Sequence, residues 1–145
     1  MQLQDSPLSF IVLESVLDHH PLKVAPNTLL VEIVALLNQE RYSAHTQVSQ
    51  QAASNPQKAG ASCVLVIEEE QLVGLITERD FVQCAARMNK DGMKAADIMN
   101  PQRLITLVES DFRDIFTVLN LFHEHQICHL PILNAHGKLL GVVTP

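Results

Sequence analysis

Hydrophobic and polar positions along this chain follow one order of patterns that is written twice. Leu72-Val73-Gly74-Leu75-Ile76-Thr77 and Leu139-Leu140-Gly141-Val142-Val143-Thr144 are short aliphatic runs with glycine and threonine at matching places, and each predicts a strand. Upstream of each lies a second strand-like run, Cys63 to Ile67 and His129 to Leu133. The polar segments between them, Glu68-Glu69-Glu70-Gln71 and Asn134-Ala135-His136-Gly137-Lys138, predict hairpin turns, the latter with glycine available for a positive φ.

Each hairpin follows a helical period. Leu30, Ile33 and Leu37 recur at i, i+3 and i+7 with Leu29 and Leu36 beside them, while Phe112, Ile115, Phe116, Leu119 and Phe122 trace one apolar face. Asn27-Thr28 and Ser110-Asp111 read as helix starts. Short extended pieces, Leu22 to Val24 and Leu104 to Leu107, precede the helices, with Pro21 and Pro101 ahead of them. After Thr77 the first copy runs on into a further helix, with Phe81, Ala85 and Met88 on one face and a stop at Asn89 to Gly92. The order is strand, helix, strand, strand, twice over. It predicts an α/β (α+β) fold of two βαββα repeats, the first over 13–92 and the second over 93–145.

The copies are read as lying about 82 residues apart at the helices but about 67 apart at the last strands. The surplus of about fifteen residues falls in the first copy at 42–60, a stretch rich in Gln, Ser, Ala and Asn with Pro56 and Gly60. It reads as a solvated loop, or as a helix extension followed by a loop. Leu8 to Leu17 is amphipathic enough to pack on the module or on a partner, and core packing is the expected use. The second copy stops at Thr144-Pro145. Proline suits a first helical turn, so the chain is expected to be a piece of something longer, its last helix missing.

Composition narrows the function classes. The chain has 145 residues, no Trp and five Phe, so its core is aliphatic. Its formal net charge is −6 and its ten Lys and Arg are scattered. Phosphate backbones need clustered cations, so neither a nucleic acid nor an anionic membrane surface is expected as a partner. Three separated cysteines, Cys63, Cys84 and Cys128, form no C-x-x-C pair and read as reduced thiols of a cytoplasmic protein. The apolar run Phe10 to Leu13 is too short for a membrane span.

Gly74-Leu75-Ile76-Thr77-Glu78-Arg79-Asp80 carries the most chemistry. A strand ends at Thr77 and a helix begins there; Thr77 can cap it and Asp80 can reach back to the cap N–H. Free N–H groups at a helix start favour phosphate. Arg79 adds a mobile cation, and Asp80, if turned outward, offers a carboxylate to two adjacent ribose hydroxyls. These parts suit a nucleotide. A Thr-x-x-Asp is equally an ordinary capping box of proteins that bind no ligand, and both readings stand at this point.

Ala96-Asp97-Ile98-Met99-Asn100-Pro101 at the second lead-in, His129-Leu130-Pro131-Ile132-Leu133 in the second hairpin, and both Gly-x-x-Thr strand ends, completed by Glu78-Arg79-Asp80 in the first copy, resemble a pair of cystathionine-β-synthase (CBS) domains, the Bateman module. The resemblance runs from about Leu13 to the end, apart from the insertion. It implies two repeats packed through their sheets about a pseudo-twofold axis, with two clefts. It also implies a ligand such as AMP, ADP, ATP or S-adenosylmethionine, assembly as a homodimer, and an effector domain that the ligand controls. On that resemblance Thr77 and Asp80 match phosphate- and ribose-contacting positions. Val24, Cys63 and Val64 match the apolar lining of one cleft; Thr106, His129, Leu130 and Pro131 match similar positions in the second copy. That copy ends before any acidic partner to Thr144, so only one cleft is expected to be complete.

The resulting expectation is a regulatory, ligand-sensing module that is not an enzyme and requires no cofactor. A ligand-free dimerisation or scaffolding unit is the alternative. A metal-binding or catalytic domain ranks third. The seven histidines show no metal-ligand spacing, so no metal site is assigned. Cys128 and His129 are strand neighbours that face opposite ways, which rules them out as a dyad.

Overall fold

A computed structural model describes residues 7–48, 63–86, 92–100 and 104–144. Outside them lie 49–60 of the expected insertion, Met88, the helix stop at 89–91, Pro101 and Pro145. The elements are α1 (Pro7–Val16), β1 (Leu17–Asp18), β2 (Leu22–Val24), α2 (Leu30–Val48), β3 (Cys63–Glu68), β4 (Gln71–Thr77), α3 (Glu78–Ala85), α4 (Ala95–Ile98), β5 (Leu107–Val108), α5 (Ile115–His125), β6 (Leu130–Leu133) and β7 (Leu139–Val143). The fold is mixed α and β with two sheets, ordered β2-β3-β4 and β1-β7-β6-β5.

Each repeat builds its sheet the same way. β2 runs parallel to β3, with Leu22 opposite Val64 and Val24 opposite Val66. β5 runs parallel to β6, with Leu107 opposite Ile132. A parallel pair needs a crossover, and α2 and α5 supply it. β3 and β4 are joined through Glu69 and Glu70, both at positive φ (50° and 65°). β6 and β7 are antiparallel and turn through Asn134, whose Oδ1 accepts from the His136 and Lys138 amides, and Gly137 at φ 81°.

The chain divides into two compact units that are not contiguous in sequence. One holds residues 22–68 and 73–101; the other holds 1–21, 69–72 and 102–145. The lead-in of each repeat therefore belongs to the unit of the other. In the first repeat's unit, Ala95, Ile98 and Met99 join Val24, Ile33, Val64, Val66 and Ile76 in one apolar cluster. In the second repeat's unit, Leu13 and Leu17 join Leu107, Phe112, Val118, Leu130, Ile132 and Val143. The amphipathic N-terminal segment does pack into a core, as expected, and β1 adds an antiparallel edge strand to β7.

This exchange explains the two strand glycines. A methyl group at Gly74 would collide with Met99 Sδ and stand 3.0 Å from its Cγ; one at Gly141 would collide with the Asp18 carbonyl and stand 2.8 Å from Leu17 Cγ. In both units the lead-in approaches its sheet most closely where the residue has no side chain.

Several expected details differ. The helices start at Leu30 and Ile115, after the proposed caps. Asp114 caps α5 by accepting from Thr117 N at 3.1 Å, whereas Thr28 Oγ1 accepts from Ala25 N and closes a turn. Ser110 and Asp111 lie in a 3-10 turn (Glu109–Asp111) that delivers Phe112 into the core before the helix begins. The second lead-in strand is Leu107–Val108, not 104–107. Tyr42 to Val48 continue α2, so that part of the insertion is helix rather than loop. On α5 the inward residues are Val118, Leu121 and Phe122; Phe116 and Leu119 are 65% and 46% exposed. On α3 Phe81 and Cys84 turn inward while Ala85 is exposed.

Candidate functional site

The strand-to-helix junction forms as its sequence predicts. Thr77 is extended (φ −108°, ψ 170°) and caps α3. Asp80 Oδ2 accepts from Thr77 N at 2.9 Å and from Thr77 Oγ1 at 3.1 Å. The carboxylate is thus turned back onto the cap rather than outward, because two short hydrogen bonds at the helix start hold it there. Its second oxygen, Oδ1, takes no part in either bond. Asp80 and Thr77 are half-buried, and Arg79 is exposed beside the helix start.

Val24, Cys63 and Val64 lie in the same unit and are buried. Val24 and Val64 belong to the cluster beneath α2. Alternation along β3 sends Cys63 to the opposite face of the sheet, so the three do not present one surface. In the other unit Leu130 and Pro131 are fully buried, whereas Thr106 and His129 are half-buried and are the members of that set within a solute's reach.

Asp80 also lines a small solvent-connected cavity of about 20 Å³ with Gln83, Cys84, Met93 and Ile98. Of these the sequence marks Asp80 as a site residue, Cys84 as a reduced thiol and Ile98 as part of the second lead-in motif. The spacing 80, 83, 84 is the signal for one face of α3. Met93 had none, because it arrives with the exchanged lead-in, and the motif that holds Ile98 did not place it at this cavity. Among the described residues no group of three or more His, Cys, Asp and Glu gathers to hold a metal, and no described helix is long and apolar enough to cross a membrane.

Two strand–helix–strand–strand units, each with a lead-in laid over a glycine-bearing strand, define a tandem α+β repeat module. The chain belongs to the CBS domain family, which it matches twice, over residues 13–87 and 95–145. It is 40% identical over 85 residues to the uncharacterized protein MK0525 of Methanopyrus kandleri, across 57% of this chain and 42% of that one. The chain spans less than half the length of that relative. Its fold is similar to the cytosolic domain of the Mg2+ channel MgtE in complex with ATP (TM-score 0.62, 20% identity, 89% of this chain and 44% of that one). It is likewise similar to GMP reductase from Trypanosoma brucei in complex with guanosine 5'-monophosphate (TM-score 0.63, 20% identity, 88% and 23%).

Proposed function

We propose that this chain is a non-enzymatic regulatory module that senses a nucleotide at the Thr77–Asp80 junction and passes the signal to an attached or associated effector in the cytoplasm. The observation that carries the reading is the placement of Asp80. Its carboxylate is anchored by Oδ2 to the cap of α3, leaves Oδ1 for a ribose diol, and stands at a helix start that favours phosphate. Arg79 supplies the neighbouring cation. Val24, Cys63 and Val64 are the further contacts of this proposal, and Thr106, His129, Leu130 and Pro131 hold the similar positions of the second repeat. The buried members become reachable only if the ligand opens the structure. AMP, ADP, ATP and S-adenosylmethionine are the ligands to try first; the ATP and guanosine 5'-monophosphate named for the two similar structures support a nucleotide without choosing the base. A ligand of this kind would act on an effector by binding one arrangement of the module better than another.

Calorimetry with each of these compounds and with GMP tests the reading. Loss of one charge-assisted hydrogen bond to a diol weakens binding by about tenfold or more, so Asp80→Ala is expected to do so. Asp80→Asn retains acceptors for the cap and serves as the folding control. Unchanged affinity in Asp80→Ala overturns the assignment of the site, and no response to any nucleotide overturns ligand sensing.

A second reading, dimerisation without a ligand, has its own support. α2 and α5 start 85 residues apart (Leu30 and Ile115), and this register matches buried Ile33 with buried Val118. It also matches exposed Val31 and Val34 (70% and 42%) with exposed Phe116 and Leu119. An apolar pair left exposed at the same helical positions in both repeats suits a homodimer interface. Phe116→Glu with Leu119→Glu is expected to shift a dimer to monomer in light scattering; a dimer that survives both charges at unchanged dissociation constant argues against this face.

A further inference from the structure

The thiol of Cys84, buried on α3, donates to the Met93 thioether with Sγ and Sδ 3.4 Å apart. This sulfur pair lies outside the aliphatic cluster of its unit. It faces the cavity shared with Asp80, Gln83 and Ile98, which has room for one water-sized molecule. Met93 is half-buried, more open than Cys84. A leucine would fill the same space; what the thioether adds is a polarisable acceptor and a two-electron reductant.

Met93 is also the point where the exchanged lead-in is fastened. Its carbonyl accepts from Leu30 N at 2.8 Å, Ala95 N donates to Thr28 O at 2.8 Å, and Ala96 N donates to Pro26 O at 2.9 Å. Lys94 bridges to Leu29. These bonds hold the start of the second repeat on the first repeat's helix, and the Met93 side chain sits directly beside them.

We propose that Met93 is an oxidation site for small hydroperoxides, and that its oxidation loosens the seating of residues 92–96. A Met93 lone pair attacks the distal oxygen of hydrogen peroxide. The O–O bond breaks, an S–O bond forms, and the peroxide is reduced by two electrons to water as the thioether becomes a sulfoxide. The new oxygen is polar and occupies space that the Cys84 thiol or the cavity now fills. The S–H···S contact is lost, and the lead-in shifts to make room. The change is of the kind that methionine sulfoxide reductases reverse.

Hydrogen peroxide treatment of the full chain, followed by peptide mapping and amide hydrogen exchange, tests this. Met93 is expected to gain one oxygen severalfold faster than Met99, which is also half-buried and packs in the apolar cluster. Exchange at the amides of Leu30, Ala95 and Ala96 is expected to rise about tenfold or more once Met93 is oxidised. In Met93→Leu, a volume-conserving change, the same treatment is expected to leave those amides unaltered. Oxygen found on Cys84 in place of Met93, a Met93 rate no faster than that of Met99, or sulfoxide formed with unchanged exchange each overturn the proposal.

Discussion

Gly141→Ala is expected to cost the molecule more than Gly74→Ala, although the two glycines occupy the same place in their repeats. At Gly141 the added methyl meets the Asp18 carbonyl, which is backbone, together with Leu17. Asp18 is held opposite Val142 and Leu17 opposite Val143 in the β1–β7 ladder, so relief requires β1 to move as a whole. Overpacking of this kind costs about 1–3 kcal/mol, and the conformational restriction that alanine places on the unfolded chain returns about 0.4–1 kcal/mol. If β1 instead detaches, burial of Leu17 is lost, about 1.5–3 kcal/mol for a fully buried leucine. Either route gives a net loss of roughly 1–2 kcal/mol. At Gly74 every obstructing atom belongs to the Met99 side chain, which can change rotamer, so the net loss is about 0–1 kcal/mol. Urea denaturation of both variants measures the difference directly. Partners sharpen the comparison: Met99→Ala is expected to rescue Gly74→Ala, whereas Leu17→Ala leaves the Asp18 carbonyl in place and does not rescue Gly141→Ala. Equal stability of the two single variants, or a larger loss at Gly74, refutes the argument that the lead-ins impose these glycines.

Two other substitutions report on local chemistry. Glu69 and Glu70 both hold a left-handed conformation that a two-residue hairpin turn prefers to give to Asn-Gly. The Glu70–Lys138 ion pair, 3.2 Å long, joins side chains 77% and 57% exposed and is worth little. Glu69→Asn with Glu70→Gly is therefore expected to stabilise by about 1 kcal/mol, and a lower denaturation midpoint would contradict the strain assigned to this turn. Asp114→Ala removes the α5 cap and is expected to cost about 1 kcal/mol, with Asp114→Asn close to wild type; amide exchange at Thr117 reads the lost bond.

The parts of the fold that sequence revealed are those set by neighbours in the chain. Alternation and glycine place the hairpins because a strand's period and a turn's φ are local properties. The Gly-x-x-Thr and Thr-x-x-Asp spacings locate the α3 cap for the same reason. What stayed hidden depends on distant residues. Phe116 and Leu119 have the spacing of a core face, but Val118, Leu121 and Phe122 take the inward side because α5 must lie on β5 and β6, and Phe112 is spent in the preceding turn. Asp80 carries the ligand-binding pattern and the capping-box pattern alike, and the structure shows its carboxylate folded onto Thr77. The place of Met93 and Ile98 at the cavity was hidden, although the motif around Ile98 was legible, because nothing near them in sequence says that their segment joins the first repeat.

The crossing of the lead-ins also sets an order of events during synthesis. Leu17 is made 126 positions before its strand partner, Val143. Until β7 has been made, α1 and β1 have no completed sheet to join, and Leu13 and Leu17 remain apolar surface in search of cover. The first repeat is held back in a smaller way, since Ala95, Ile98 and Met99 must follow before its cluster closes. Contacts of such long sequence separation slow folding, and surface exposed in the interval is where chaperones and premature association act. The same exchange of segments that closes each core thus leaves Leu13 and Leu17 without cover until β7 has been made.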